Sequence, residues 1–145
     1  MTQRPQTLAD VAFRGGASVD GYSFALAEFL DDFYLDASMI GREQRIAEPP
    51  ALSHLTPDTV VLIAAAAEHL AQRWGICCPE WVGHDEFLGD GKARFFPDSP
   101  RIRPMLLVES PPAFRRRMIF TVAEPLGRAR LPGGYQVIMP FEKDH

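Results

Sequence analysis

The sequence has little of the chemistry from which metal sites and disulfide frameworks are built. It contains only two cysteines, Cys77 and Cys78, which are adjacent, and this spacing suits neither a zinc knuckle nor a disulfide framework. We therefore predict two thiols packed in the core. None of the four histidines lies one helical turn from another, so paired metal ligands are not expected.

Long apolar runs and processing signals are also missing. There is no uncharged apolar stretch of about eighteen or more residues, the length that a membrane-spanning helix needs. The N-terminal sequence MTQRPQTLAD lacks the basic region, apolar run and cleavage pattern of a secretory leader. These absences predict a cytosolic protein without a membrane partner. The glycine pairs lack the spacing of a phosphate-binding loop, so no cofactor is expected.

Charge is strongly segregated along the chain. Residues 1–70 carry four basic and ten acidic side chains, whereas residues 92–130 carry nine basic and three acidic ones. Such a pattern indicates either pairing between the two halves or two partner-facing surfaces of opposite sign. The length of 145 residues and the hydrophobic content of 46% fit one domain over residues 1–145.

The clearest local pattern is a helix over residues 57–74. Thr56 can cap its first turn, Pro57 fits the first helical position, and Gly75 can adopt the left-handed conformation that ends a helix. Apolar residues recur at helical spacing, while Glu68 lies away from their stripe. The stripe comprises Val60, Ile63, Ala64, Ala67, Leu70, Ala71 and Trp74. We predict an all-α, multi-helix bundle around this central helix, and the sequence leaves its oligomeric state open.

The remaining elements are predicted from caps, prolines and apolar spacing. A second helix over 21–36 would be capped by Asp20 and turn Phe24 inward. Further helices are predicted at 7–13 and 100–109, from Ser110 through Phe120 with Met118 inward, and as a short turn within 122–130. The β-prone run YQVIMPF, residues 135–141, is predicted to form a short strand or a docked tail.

Two charged clusters are candidate partner-binding sites. Glu28, Asp31 and Asp32 lie on the 21–36 helix, where they form either a solvated face or a surface for a basic partner. The run Arg115, Arg116 and Arg117 suits bidentate binding of carboxylates or phosphates. Because successive helical residues diverge by about 100°, at least one of these arginines should be accessible to solvent.

Three interpretations of the arginine-rich segment 101–130 remain open at this point. In the first interpretation the segment is a nucleic-acid-binding module, in which Arg101 and Arg103 act together with the run at 115–117. Alternatively, its arginines bind an acidic protein surface. In the third interpretation they pair with Glu109, Glu124 and the acidic first half, and so stabilise the domain.

Catalysis has weak support in the sequence. A thiol enzyme would need Cys77 or Cys78 beside a base, for which His84 is the nearby candidate. Asp31 and Asp32 are adjacent on a predicted helix and therefore diverge, which disfavours a shared proton. We keep a small Cys/His enzyme as an alternative and expect that the protein is not an enzyme.

Several segments resemble a group of poorly characterised bacterial proteins. They are ALAEFLDDFY, AEPPALSHL, AAAAEHLAQRWGICCPEWV and LLVESPPAFRRRMIFTVAEPLGRA, within residues 8–130. Proteins of that group accompany nucleotidyltransferase-like or similar toxins in two-gene toxin–antitoxin or defence modules. The resemblance implies an antitoxin-like protein that binds and restrains a toxin enzyme, and it implies no catalytic residues. Many members carry an N-terminal helix-turn-helix of the repressor type; because this sequence begins almost directly at the predicted acidic helix, we expect no such domain here.

Overall fold

The computed structural model describes residues 4–127, and most of them are helical. Short 3-10 turns at Glu80–Gly83, Asp85–Phe87 and Pro100–Ile102 connect the main elements. In chain order, those elements are α1 (Leu8–Gly15), α2 (Val19–Leu35), α3 (Met39–Ala47), α4 (Pro57–Trp74), β1 (Arg94–Phe96), α5 (Arg103–Glu109), α6 (Pro112–Arg115) and β2 (Ile119–Thr121). The run at 135–141 and the end of the predicted 122–130 turn lie outside the described residues.

Helix α4 is the centre of the fold, as predicted. The Thr56 hydroxyl accepts a hydrogen bond from the Thr59 N–H at 3.2 Å, and Gly75 ends the helix with a left-handed φ of 64°. Almost every side chain from Thr59 to Ala71 is buried, because α1, α2, α6 and the two 3-10 turns after α4 pack around it. The predicted polar side was therefore wrong at Glu68, which is only 7% exposed.

Helices α1 and α2 form a close hairpin. Gly15 and Gly21 lie at the contact, and a Cβ on Gly15 would overlap the Gly21 carbonyl group. This approach determines which face of α2 turns inward. That face contains Tyr22, Ala25, Leu26, Phe29, Leu30, Phe33 and Tyr34. The predicted register was wrong at its start, since Ser18 rather than Asp20 is the cap and Phe24 is 71% exposed.

Aromatic side chains connect α2, α3 and the end of α4. The Arg42 guanidinium lies 4.1 Å from the Trp74 ring centroid and donates hydrogen bonds to the carbonyls of Phe33 and Tyr34. Trp81 is buried and donates from Nε1 to the Ile46 carbonyl at 3.1 Å. These contacts fix the α3 segment against the bundle.

The predicted helix over 110–120 was wrong beyond Arg115. Helix α6 is a single turn, and Met118 has a left-handed φ of 59°, which ends helical geometry before β2. Met118 therefore points partly into solvent, while Ile119 is fully buried. Strands β1 and β2 pair in parallel, with Arg94 opposite Ile119. Within residues 4–127, no helix is both long and apolar enough to cross a membrane.

Candidate interaction surface

The acidic residues of α2 face the N-terminal segment of the chain. Arg4 Nη1 lies 3.9 Å from Asp31 Oδ2 and 3.7 Å from Asp32 Oδ1, and Gln6 Nε2 donates to Asp32 Oδ2 at 3.1 Å. Asp31 is buried, and Glu28 is partly buried. The three predicted partner-binding carboxylates are thus close together, but two of them already contact basic or amide groups of this chain.

Arg117 has a structural role that the sequence did not predict. Its side chain is buried, and its guanidinium donates to the carbonyls of Phe87, Ala113 and Val82 at 2.8, 2.7 and 2.7 Å. Nη2 also lies 3.1 Å from Glu68 Oε1. All of these partners are internal, so Arg117 must be removed from the predicted partner-binding set.

Unlike Arg117, the side chains of Arg115 and Arg116 are exposed. The Arg116 Nε donates to Glu68 Oε1 at 3.0 Å, although its side chain stays 45% exposed. Arg115 is exposed, and its Nη2 donates to the carbonyls of Val108 and Ser110 at 2.8 and 3.0 Å. Carbonyl groups orient the Arg115 guanidinium without neutralising its charge. The prediction that at least one of the three arginines is accessible is confirmed.

Helix α5 exposes an unusual share of apolar surface. Of the four consecutive apolar residues in this seven-residue helix, only Leu106 is fully buried. Met105, Leu107 and Val108 are 42%, 45% and 76% exposed. The Ser110 hydroxyl anchors the end of the helix, because it donates to the Leu106 carbonyl and accepts from the Thr121 N–H at 2.8 Å. One side of α5 is therefore held in place while its apolar side remains uncovered by the described residues.

Arginines flank the exposed side chains of α5. Arg101 is exposed and forms no ion pair with any residue in the described part of the chain. Arg103 Nη2 lies 2.8 Å from Asp98 Oδ1, and its guanidinium carbon lies 4.6 Å from the Phe95 ring centroid. We define the α5 surface as the set of exposed basic and apolar residues Arg101, Arg103, Met105, Leu107, Val108 and Arg115.

The two cysteines are exposed, so the prediction of core thiols was wrong. Ile76 enters the core after α4, and the Cys77 N–H then donates to Glu43 Oε2 at 2.7 Å, which holds both thiols at the surface. Partial desolvation of the Cys78 thiol at this surface position, together with the negative charge of Glu68 nearby, raises its pKa. A higher thiol pKa lowers the thiolate fraction and therefore the nucleophilicity at neutral pH.

His84 makes no hydrogen bond with either thiol. The hydrogen bonds of the two sulfur atoms go to the carbonyls of Cys78 and Pro79, and His84 Nδ1 lies 3.9 Å from Glu86 Oε1. In residues 4–127, no group of three or more His, Cys, Asp or Glu side chains has the arrangement of a metal site. These positions give the Cys/His alternative no geometric support.

The apolar part of the α5 surface was missed by the sequence analysis. A helix of seven residues spans too few turns for a hydrophobic stripe to stand out. The available signal was the run from Met105 to Val108, since four consecutive residues on a helix cannot all face one core. Leu106 takes the inward position and leaves its neighbours in solvent.

The search with family models, the search of characterised proteins and the search of solved structures each find no match for this chain. The resemblance to antitoxin-like proteins therefore stays a prediction.

Proposed function

We propose that this chain is an antitoxin-like interaction protein that binds an acidic surface of a toxin enzyme through its α5 surface and thereby restrains the enzyme. The toxin identity of the partner rests on the sequence resemblance. The observation that carries the binding proposal is the exposure of Met105, Leu107 and Val108 between arginines whose charges are not fully neutralised. Catalysis has no role in this proposal.

The composition of the α5 surface favours a protein partner. Met and Arg are enriched in protein–protein interfaces, where apolar side chains fill the centre and charged groups form the rim. Val108 and Leu107 supply the apolar centre, and Arg101, Arg103 and Arg115 supply a basic rim. A rim of this sign complements a carboxylate-rich partner and accelerates encounter with it.

A nucleic-acid ligand has less support. Phosphate binding relies on accessible cationic groups rather than on exposed aliphatic ones. Arg117 is buried, Arg116 contacts Glu68, and Arg103 contacts Asp98, so the predicted phosphate-binding set is reduced. The α2 surface also fits the partner proposal less well than α5, because Asp31 and Asp32 already lie near Arg4.

The proposal is tested by co-expression with the product of the neighbouring gene, the natural candidate in a two-gene module. We expect the two proteins to co-purify and this chain to relieve growth inhibition by its partner. Val108→Asp should weaken binding by about tenfold or more, since it places a charge at the centre of the interface. Phe24→Asp is the matched control, because Phe24 is similarly exposed but lies on α2.

Equal binding by the Val108→Asp and Phe24→Asp variants would contradict the proposed surface. Filter binding with single-stranded and double-stranded DNA and RNA at two salt concentrations tests the nucleic-acid alternative. We expect no affinity that depends on the arginines. A steep salt dependence, abolished by Arg101→Ala and Arg115→Ala, would favour nucleic-acid binding instead.

A further inference from the structure

A cavity of about 150 Å³ lies between α2, α4, the two strands and the segment after β2. Its walls are mainly apolar and carry no charged side chain. Leu26, Leu62, Phe114 and Ile119 are among the residues that line it. A cavity of this volume with apolar walls can hold a molecule the size of benzene. The α5 surface contributes no residue to the lining.

Tyr22 contributes a polar side chain to the lining of this cavity. The residue is 3% exposed, and its hydroxyl makes no hydrogen bond with any described residue. Tyr34, on the same helix, shows the usual arrangement, since its hydroxyl lies 2.5 Å from the Leu126 carbonyl oxygen and donates to it. The Tyr22 hydroxyl is therefore free to donate a hydrogen bond to a molecule in the cavity.

Thr121 contributes a second hydroxyl-bearing side chain to the lining. It is 5% exposed, and its backbone N–H and carbonyl both bond to the Ser110 hydroxyl. Its own hydroxyl has no hydrogen-bond partner within residues 4–127, and the residue lines the same cavity. Neither hydroxyl oxygen is fully enclosed by the protein, so both stay within reach of a small molecule in the cavity.

We propose that this cavity is a binding site for a small neutral molecule, with an apolar ring the size of benzene and one polar oxygen that hydrogen-bonds to Tyr22. The apolar walls contact the ring, and Thr121 lines the same cavity as Tyr22. An ionised ligand is excluded, because no side chain of opposite charge lines the cavity to offset desolvation. Burial raises the pKa of Tyr22, so its hydroxyl keeps its proton and acts as a donor.

The test uses the full-length protein with three probes of similar size: phenol, toluene and benzoate. Binding is followed by protein-observed NMR. We expect saturable shifts of the Tyr22, Ile119 and Thr121 amides with phenol, weaker binding of toluene, and no binding of benzoate. Tyr22→Phe should weaken phenol binding by about tenfold and leave toluene binding unchanged, because it removes the hydrogen bond and keeps the ring.

Two further measurements separate a ligand site from a water-filled cavity. Without ligand, Tyr22→Phe should change the melting temperature little, because it removes a hydroxyl that makes no hydrogen bond with the described residues. Ser23→Trp should block phenol binding, since Ser23 is exposed and lines the cavity, whereas Ser53→Trp at an exposed site elsewhere should not. Absence of saturable shifts with any probe, or identical phenol affinity in Tyr22→Phe, would overturn the proposal.

Discussion

Arg117 has the largest fully buried side chain in the described part of the protein, and the contacts of its guanidinium connect several parts of the fold. It bonds to backbone carbonyls from the segment after α4 and from α6, and it pairs with Glu68 of α4. A buried charge of this kind is stabilised only while its partners are in place. The side chain that the sequence placed at a binding surface is thus part of the core.

Substitution of Arg117 tests this role. Arg117→Met leaves Glu68 without one of its two cationic partners and three carbonyls without their donor, so we expect a loss of about 3–5 kcal/mol in the free energy of unfolding. Arg101→Met is the matched control, because it makes the same chemical change at an exposed position and should alter stability by about 0.5 kcal/mol or less. Urea unfolding measures both, and similar values for the two variants would refute the structural role of Arg117.

His69 gives stability a defined pH dependence. Burial lowers the pKa of His69 in the folded protein, although Glu124 opposes the shift. In the unfolded chain a histidine titrates near pH 6.5. Because the unfolded state binds the proton more readily, this contribution to stability is complete above about pH 6.5 and is lost as the pH falls below it.

The His69 contribution is measured by urea unfolding at pH 7.5 and 5.5. His69→Gln has no titrating imidazole, so its stability should fall less between the two pH values than that of the natural protein. The carboxylates are common to both proteins and their effects cancel in the comparison. An equal fall in the two proteins would show that His69 does not titrate differently on folding.

Among the helices, α5 is anchored to the fold by one fully buried apolar side chain, Leu106. Leu106 is fully buried, whereas its neighbour Leu107 is 45% exposed. Leu106→Ala should cost about 2–5 kcal/mol, because it opens a cavity under the helix. Leu107→Ala makes the same chemical change on the outer side and should cost much less. Thermal or urea unfolding of the two variants compares them, and equal costs would show that α5 is not anchored as described.

The termini of α4 could be predicted from the sequence, whereas the contacts between elements could not. Helix α4 was predicted with its bounds because Thr56, Pro57 and Gly75 act within one or two turns of each terminus. The inward face at the start of α2 and the strand β2 depend on contacts between elements: the Gly15–Gly21 approach of α1 to α2 in one case and the pairing with β1 in the other. Local patterns do not encode such contacts.

For the whole molecule, the mostly helical class was predicted and is confirmed, whereas the candidate site was predicted only in part. The exposed arginines could be read from the sequence, but their internal partners could not, because Glu68 and Arg116 are far apart in the chain. Charge segregation gave the right broad expectation that some groups pair internally. The partner of the α5 surface stays a prediction.

The central claim is that a protein partner covers α5. Hydrogen exchange of this chain, measured with and without the product of the neighbouring gene, locates the covered segment most directly. We predict slower exchange in peptides from residues 101–116 in the complex, with little change in residues 19–35. Protection confined to residues 19–35, or unchanged exchange across 101–116 in a stable complex, would contradict the account.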